Sequence, residues 1–207
     1  MTNFGWKLSR LSAPTAGPVS LSEAKAYLRI DEDLTAEDAL VASLILAAAG
    51  WAETQTRVAI MEQRWAYTAD AWPCGGEPLP LPVVPLLSVD SAFYTDLNGD
   101  RVDLDLTGGD FVVDTLGFPG HIRPAYGTYW PLARLEPGAV RVDFTAGFAS
   151  GQSPAGADGV PEEVRQAVLM LVEHLYSLRG AAITGTIVTE LPIGPAHLLD
   201  RWRQYDR

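Results

Sequence analysis

The side chains that could carry chemistry in this 207-residue chain are few and scattered. His121, His174 and His197 lie far apart, and none belongs to an HExxH or HxH arrangement, so a zinc site would need carboxylates brought in by folding. Asp96-x-Asn98-x-Asp100 resembles the opening of a calcium loop. However, Gly99 falls at the fourth position rather than the sixth, and the bidentate Glu at the twelfth is absent. Asn98-Gly99 between alternating segments is instead a hairpin signal. No G-x-S-x-G elbow occurs, and Ser150 and Ser153 have no nearby histidine. Gly108-Gly109 and Gly117 to Gly120 lack the lysine and the following helix of a phosphate loop. Asp103 with Asp105 and Glu162 with Glu163 are paired carboxylates with no flanking group to separate their proton affinities. Cys74 is the single cysteine, in a Gly/Pro loop, which excludes an intrachain disulfide. Trp65, Tyr67, Trp72, Phe93, Tyr94 and Trp130 could form a sugar-binding platform, although core packing is the commoner use of such residues. No catalytic set, metal site or cofactor site emerges, and the expectation is a chain that is not an enzyme.

Composition bounds what these residues can belong to. At 47% hydrophobic the chain can bury a core, as one large domain or two small ones. No apolar run reaches the roughly 18 residues of a membrane span, and MTNFGWKLSR lacks the apolar region of a secretory signal. A cytosolic origin with no membrane partner is therefore expected. The net charge is −11, and residues 63–150, with 5 basic against 11 acidic groups, hold −6 of it. Such a surface repels phosphates and disfavours a direct grip on DNA.

The strongest positional signal lies at Val160 to Gly180. Val164, Ala167, Val168, Leu171, Val172 and Leu175 recur at intervals of three and four, giving one helical stripe. Pro161 suits the first turn, Glu162 and Glu163 its positive end, and Arg179 and Gly180 the C-terminal cap. Ser20 with Glu23 forms a capping box before the stripe Leu21, Ala24, Leu28. Thr35 with Asp38 repeats the box, opening a helix through about Thr56 with Leu40, Val41, Leu44, Ile45, Ala48, Trp51 and Ala52 on its buried face. Between the helical regions the period changes to two. Gln63, Trp65 and Tyr67 alternate with Arg64, Ala66 and Thr68. Val83 to Tyr94, Phe111 to Val113, His121 to Arg123 and Val140 to Phe144 are further strands, and the prolines of LPLP (79–82) make it a turn or an edge. The expected fold is α+β: a small helical bundle with an inserted antiparallel β module, a barrel or a sandwich. Its expected divisions are an arm at 1–19, a helical body at 20–62 and 160–180, a β module at 63–150, and a tail at 181–207. Trp6, a large aromatic in an otherwise irregular arm, is expected to dock on a surface.

Taken in order, these blocks resemble one family, the head–tail connector or adaptor proteins of long-tailed phages and bacterial gene transfer agents. The matching residues are SLSEAKAYLRID (20–31), with Leu21, Lys25, Leu28 and Arg29 at the family's spacing, and Glu53, where such proteins commonly carry a glutamate. LPLPVVPLLSV (79–89), the hairpin YTDLNG, VRVDFTAGF (140–148), VPEEVRQAVLMLVEHLYSLR and LPIGPAHLLDRWR follow. The resemblance spans about residues 18–207. It implies a homo-oligomeric ring, of twelve copies, beneath the portal protein of a capsid. That ring would bridge to a stopper or tail-terminator protein, in the neck of a virion or phage-like particle assembled in the bacterial cytoplasm. DNA would pass along its axis without specific binding. It also implies that the C-terminal segment binds the portal, and Leu198, Leu199, Arg201, Trp202, Arg203 and Tyr205 occupy that segment. With Trp6 they form the candidate interface set, since Trp, Tyr and Arg are common interface anchors. The rival reading is a ligand- or carbohydrate-binding tail component that uses the β module.

Overall fold

Two units, each assembled from sequence-distant segments, make up the protein: Met1–Pro14 with Glu62–Gly147, and Thr15–Met61 with Phe148–Arg207. The computed structural model describes residues 6–14, 16–148, 159–178 and 193–204.

The helical unit holds α1 (Leu21–Leu28), a 3-10 turn (Thr35–Glu37) running into α2 (Asp38–Thr56), α3 (Glu162–Leu178) and α4 (Ile193–Asp200). Ser20 caps α1 as expected, its Oγ accepting from the Glu23 N–H at 3.2 Å. The Glu23 carboxylate takes two hydrogen bonds from Arg165 Nη2, at 2.7 and 2.8 Å, and so ties α1 to α3. The second box is a correction. Among the described residues, the N-cap positions Leu34 and Glu37 make no side-chain cap hydrogen bond, and Asp38 accepts instead from Lys25 Nζ at 2.9 Å. Lys25, only 4% exposed, also donates to the carbonyls of Glu32 (2.7 Å) and Leu34 (3.0 Å), gathering the acidic turn around one buried ammonium. Lys25→Met, which keeps the stem and removes the donor, is expected to cost about 2 kcal/mol, read as a lower urea midpoint, because three acceptors lose one shared partner.

Arg29 and Arg57 end α1 and α2 in the left-handed region, at φ 59° and 58°, placing a cation beside each C-terminal helix dipole. The core packs Val41, Ile45, Ala48 and Ala52 of α2 against Val164, Ala167, Val168, Leu171 and Val172 of α3, with Ala24 and Leu199. The α3 stripe is thus the one its spacing predicts, while the Arg179–Gly180 cap lies outside the described residues. On α2, Leu40 is 37% exposed rather than buried. The span Thr35–Thr56 has a membrane-like composition, with a mean hydropathy of 1.3 in its most apolar window. One stripe of it forms the core just described.

The β unit holds β1 (Lys7–Ser12), β2 (Gln63–Ala69), β3 (Leu79–Pro80), β4 (Leu86–Thr95), β5 (Arg101–Asp103), β6 (Phe111–Asp114), β7 (His121–Pro124) and β8 (Val140–Ala146). They form two antiparallel sheets, ordered β1-β2-β8-β4-β5 and β3-β7-β6, rather than a closed barrel. β8 runs down the middle of the larger sheet, and its Val140, Val142, Phe144 and Ala146 are all fully buried. LPLP contributes a two-residue edge strand, where a missing N–H does no harm. The irregular arm expected at 1–19 is corrected over Lys7–Ser12, which is an edge strand. All six of its residues are exposed, so no burial period marks it in the sequence.

The Asn-Gly signal is a hairpin between β4 and β5. Asp96 organises its loop, Oδ1 accepting from the N–H groups of Asn98 (2.8 Å) and Asp100 (2.9 Å). Those bonds, led by the one from Asp100, hold its carboxyl below the ordinary carboxylate value.

Candidate functional site

Two surfaces gather the residues that could act. The first is α4 with the turn after it, in the helical unit. Leu199 is 2% exposed and belongs to the unit's own core, and Leu198 packs partly buried against it. Trp202 meets Phe148 edge-on, with ring centroids 5.5 Å apart, and its buried Nε1 has no hydrogen-bond acceptor among the described residues. Arg203 Nε donates to the Gln55 carbonyl at 3.2 Å, and the Gln204 N–H to the Thr56 carbonyl at 2.8 Å, closing the turn onto the end of α2. Leu199, and in large part Leu198 and Trp202, are therefore used within the chain. Arg201 and Arg203 are the members of the set exposed among the described residues, their side chains 78% and 42% exposed, and Arg201 Nη1 lies 3.6 Å from a Glu163 carboxylate oxygen. His197 is 75% exposed on the same helix, 3.9 Å from Asp200. Tyr205 lies outside the described residues. Trp6, in the β unit, stacks on Tyr67 at 4.5 Å, which accounts for it within its own sheet.

The second surface is a cleft of about 630 Å³ in the β unit. Trp72 and Trp130, 5% and 8% exposed, form its floor and stack on each other at 4.6 Å with planes 7° apart. Phe111 stacks on Trp130 at 5.4 Å, and Tyr94 meets Trp72 edge-on. The Trp130 indole N–H donates to the Glu77 carbonyl at 2.9 Å. The aromatic set read as a possible sugar platform is thus dispersed: its tryptophan faces are turned on each other, and Trp6 covers Tyr67. Leu97, Tyr129, Leu132 and Leu135 make the rim and are 67–86% exposed. Cys74 also lines the cleft and is exposed. The rim was missed in the sequence, because YWPLARLEPG offers no period to distinguish a leucine at a surface from one in a core.

The titratable residues do not converge. His121 Nδ1 lies 3.7 Å from Asp114 Oδ2 in the β unit, while His174 and His197 belong to the helical unit. Among the described residues, no group of three or more His, Cys, Asp or Glu side chains is placed to hold a metal ion.

Architecture and surfaces together define a mixed α+β protein of two discontinuous units, with an apolar-rimmed cleft in one and an exposed arginine beside α4 in the other. No family model matches the chain, and no curated protein does. Solved structures do. A chain from the neck of an empty gene transfer agent (GTA) particle, computed with C6 symmetry, is 26% identical with a TM-score of 0.74, over 97% of each chain. A chain from the virion of a native GTA particle is 26% identical with a TM-score of 0.72, over 97% of this chain and 96% of that one. A chain from the neck of a native GTA particle, computed with C12 symmetry, shares the fold at a TM-score of 0.69 and 24% identity. At 26% identity over nearly the whole chain, the first two likenesses support a structural component of a phage-like particle.

Proposed function

We propose that this protein is a structural head–tail adaptor, a homo-oligomeric ring between the portal and the stopper or tail of a phage-like particle. The observation that carries this reading is the likeness to chains of a GTA neck and a GTA virion along essentially the whole length, with both units included. The C6 and C12 symmetries of those necks support a ring. The described residues fit a role by contact: the exposed apolar rim and the outward Arg201 suit adhesion between macromolecules. A net charge of −11 on every copy suits an axial passage through which DNA slides, since no counterions are released to lysine or arginine contacts. Screening limits that effect to charges within about 8 Å of the DNA at physiological salt.

Removing the gene and imaging the particles tests the role. Full heads that lack tails and leak DNA are expected, whereas normally tailed particles would end the reading. A finer test concerns the portal. Because Arg201 is exposed, Arg201→Glu should leave the melting temperature unchanged and reduce capture by the portal about tenfold in a pull-down, as for one lost charge-assisted contact. Equal capture would remove α4 from the portal contact.

A further inference from the structure

We propose that the Leu116–Phe118 turn of one copy seats in the cleft walled by Trp72, Leu97, Tyr129 and Leu135 on the next copy. The β unit then carries both halves of a head-to-tail contact. This inference rests on the ring reading and adds which surfaces close the ring.

The turn is built to present apolar side chains. Asp114 Oδ1 accepts from the N–H groups of Leu116 (2.9 Å) and Gly117 (3.0 Å), fixing the backbone between β6 and β7. On that frame Leu116 is 95% exposed and Phe118 51%, an arrangement that gains nothing for an isolated subunit. The cleft is its counterpart, concave and apolar, with a rim equally uncovered.

Position permits a ring. β6 and β7 form a ribbon in which Asp114 pairs with His121 at the turn end and Phe111 with Pro124 at the other. Phe111 stacks on Trp130 in the cleft, so turn and cleft occupy opposite ends of one ribbon roughly 10 Å long. A knob and a socket at different places allow a heterologous contact, which closes into a ring when its rotation divides the circle, whereas reciprocal two-fold exchange would stop a cross-linked ladder at the dimer.

Charge points to a second copy as the occupant. Each chain carries −11, so copies repel unless they meet where charge is lowest. Residues 115–120, TLGFPG, hold no charged side chain, and neither does the cleft lining. Area sets the scale: at about 200 Å² for a large side chain, Leu116, Phe118 and the four exposed rim residues bury at most roughly 900 Å², just under the roughly 1,000 Å² of a specific contact.

The native Cys74 provides the test. Leu116→Cys is introduced in the cells that make the particles, and purified particles are oxidised and run on a non-reducing gel. A ladder of multimers of this chain is expected, with disulfide-linked peptides joining position 116 to Cys74 by mass spectrometry, and loss of the ladder when Cys74→Ser is added. Leu116→Asp is expected to melt as the parent does and to be lost from the necks. Necks that contain the L116C chain without a disulfide from position 116 to Cys74, or that retain L116D at the parent level, overturn the contact and leave the ring reading intact. A link from position 116 to a different protein overturns it as well. Necks that lack the unmodified chain altogether defeat both readings.

Discussion

Leu199→Ala lowers the stability of the isolated protein by about 3 kcal/mol, as expected for a leucine truncated inside a packed core. Leu199 is 2% exposed and sits in one cluster with Val41, Ile45, Val168 and Leu171, so its side chain holds α4 to α2 and α3 of its own chain. Urea denaturation of the purified protein, followed by far-UV circular dichroism, reads the loss as a shifted midpoint. The comparison with Arg201→Glu gives the experiment its meaning. One substitution acts on folding before any partner is present; the other acts only when a partner is. Should Leu199→Ala unfold at the parent midpoint, α4 is not held as described, and its leucines become available to a neighbour again.

Phe144→Ala is expected to cost more, about 4 kcal/mol. Phe144 is fully buried on the central strand of the five-stranded sheet, opposite Trp65 on β2 and Val89 on β4. Truncation there removes a large ring where strands on both sides prevent collapse of the cavity. Val112→Ala, on β6 and 41% exposed, is the control and should stay within about 0.5 kcal/mol of the parent. Equal effects of the two would mean that the core lies elsewhere in the β unit.

The parts of this fold legible in the sequence are those where one local signal has no competitor. α3 is an uninterrupted stripe of Val164, Ala167, Val168, Leu171 and Val172, and the Asp96–Asp100 loop has side chain and backbone agreeing on a turn. Losses occurred where a distant partner decides. Thr35 with Asp38 has the letters of a capping box, but Lys25 lies within hydrogen-bond reach and takes the carboxylate. Lys7–Ser12 carries no alternation because an edge strand exposed along its length has nothing to alternate between. Leu198 and Leu199 read equally well as anchor or as core, and only the packing of α4 on α3 separates the two. The cleft was illegible for a related reason: its floor comes from Trp72 and Trp130, whose stacking depends on two loops meeting.

The interleaved layout of the two units also governs when the chain can fold. Glu23 and Arg165, whose ion pair joins α1 to α3, are 142 residues apart. At roughly 5–20 residues per second, translation of that interval takes about 7–30 s. From the synthesis of Thr56 onward the apolar stripe of α2 is on the nascent chain without the helix that covers it. The strand β8, to which β2 and β4 are both registered, likewise leaves the ribosome after every other strand of its sheet. Neither core is complete on a half-made polypeptide, so the folding of both units waits for β8 and α3, which lie in the last third of the chain.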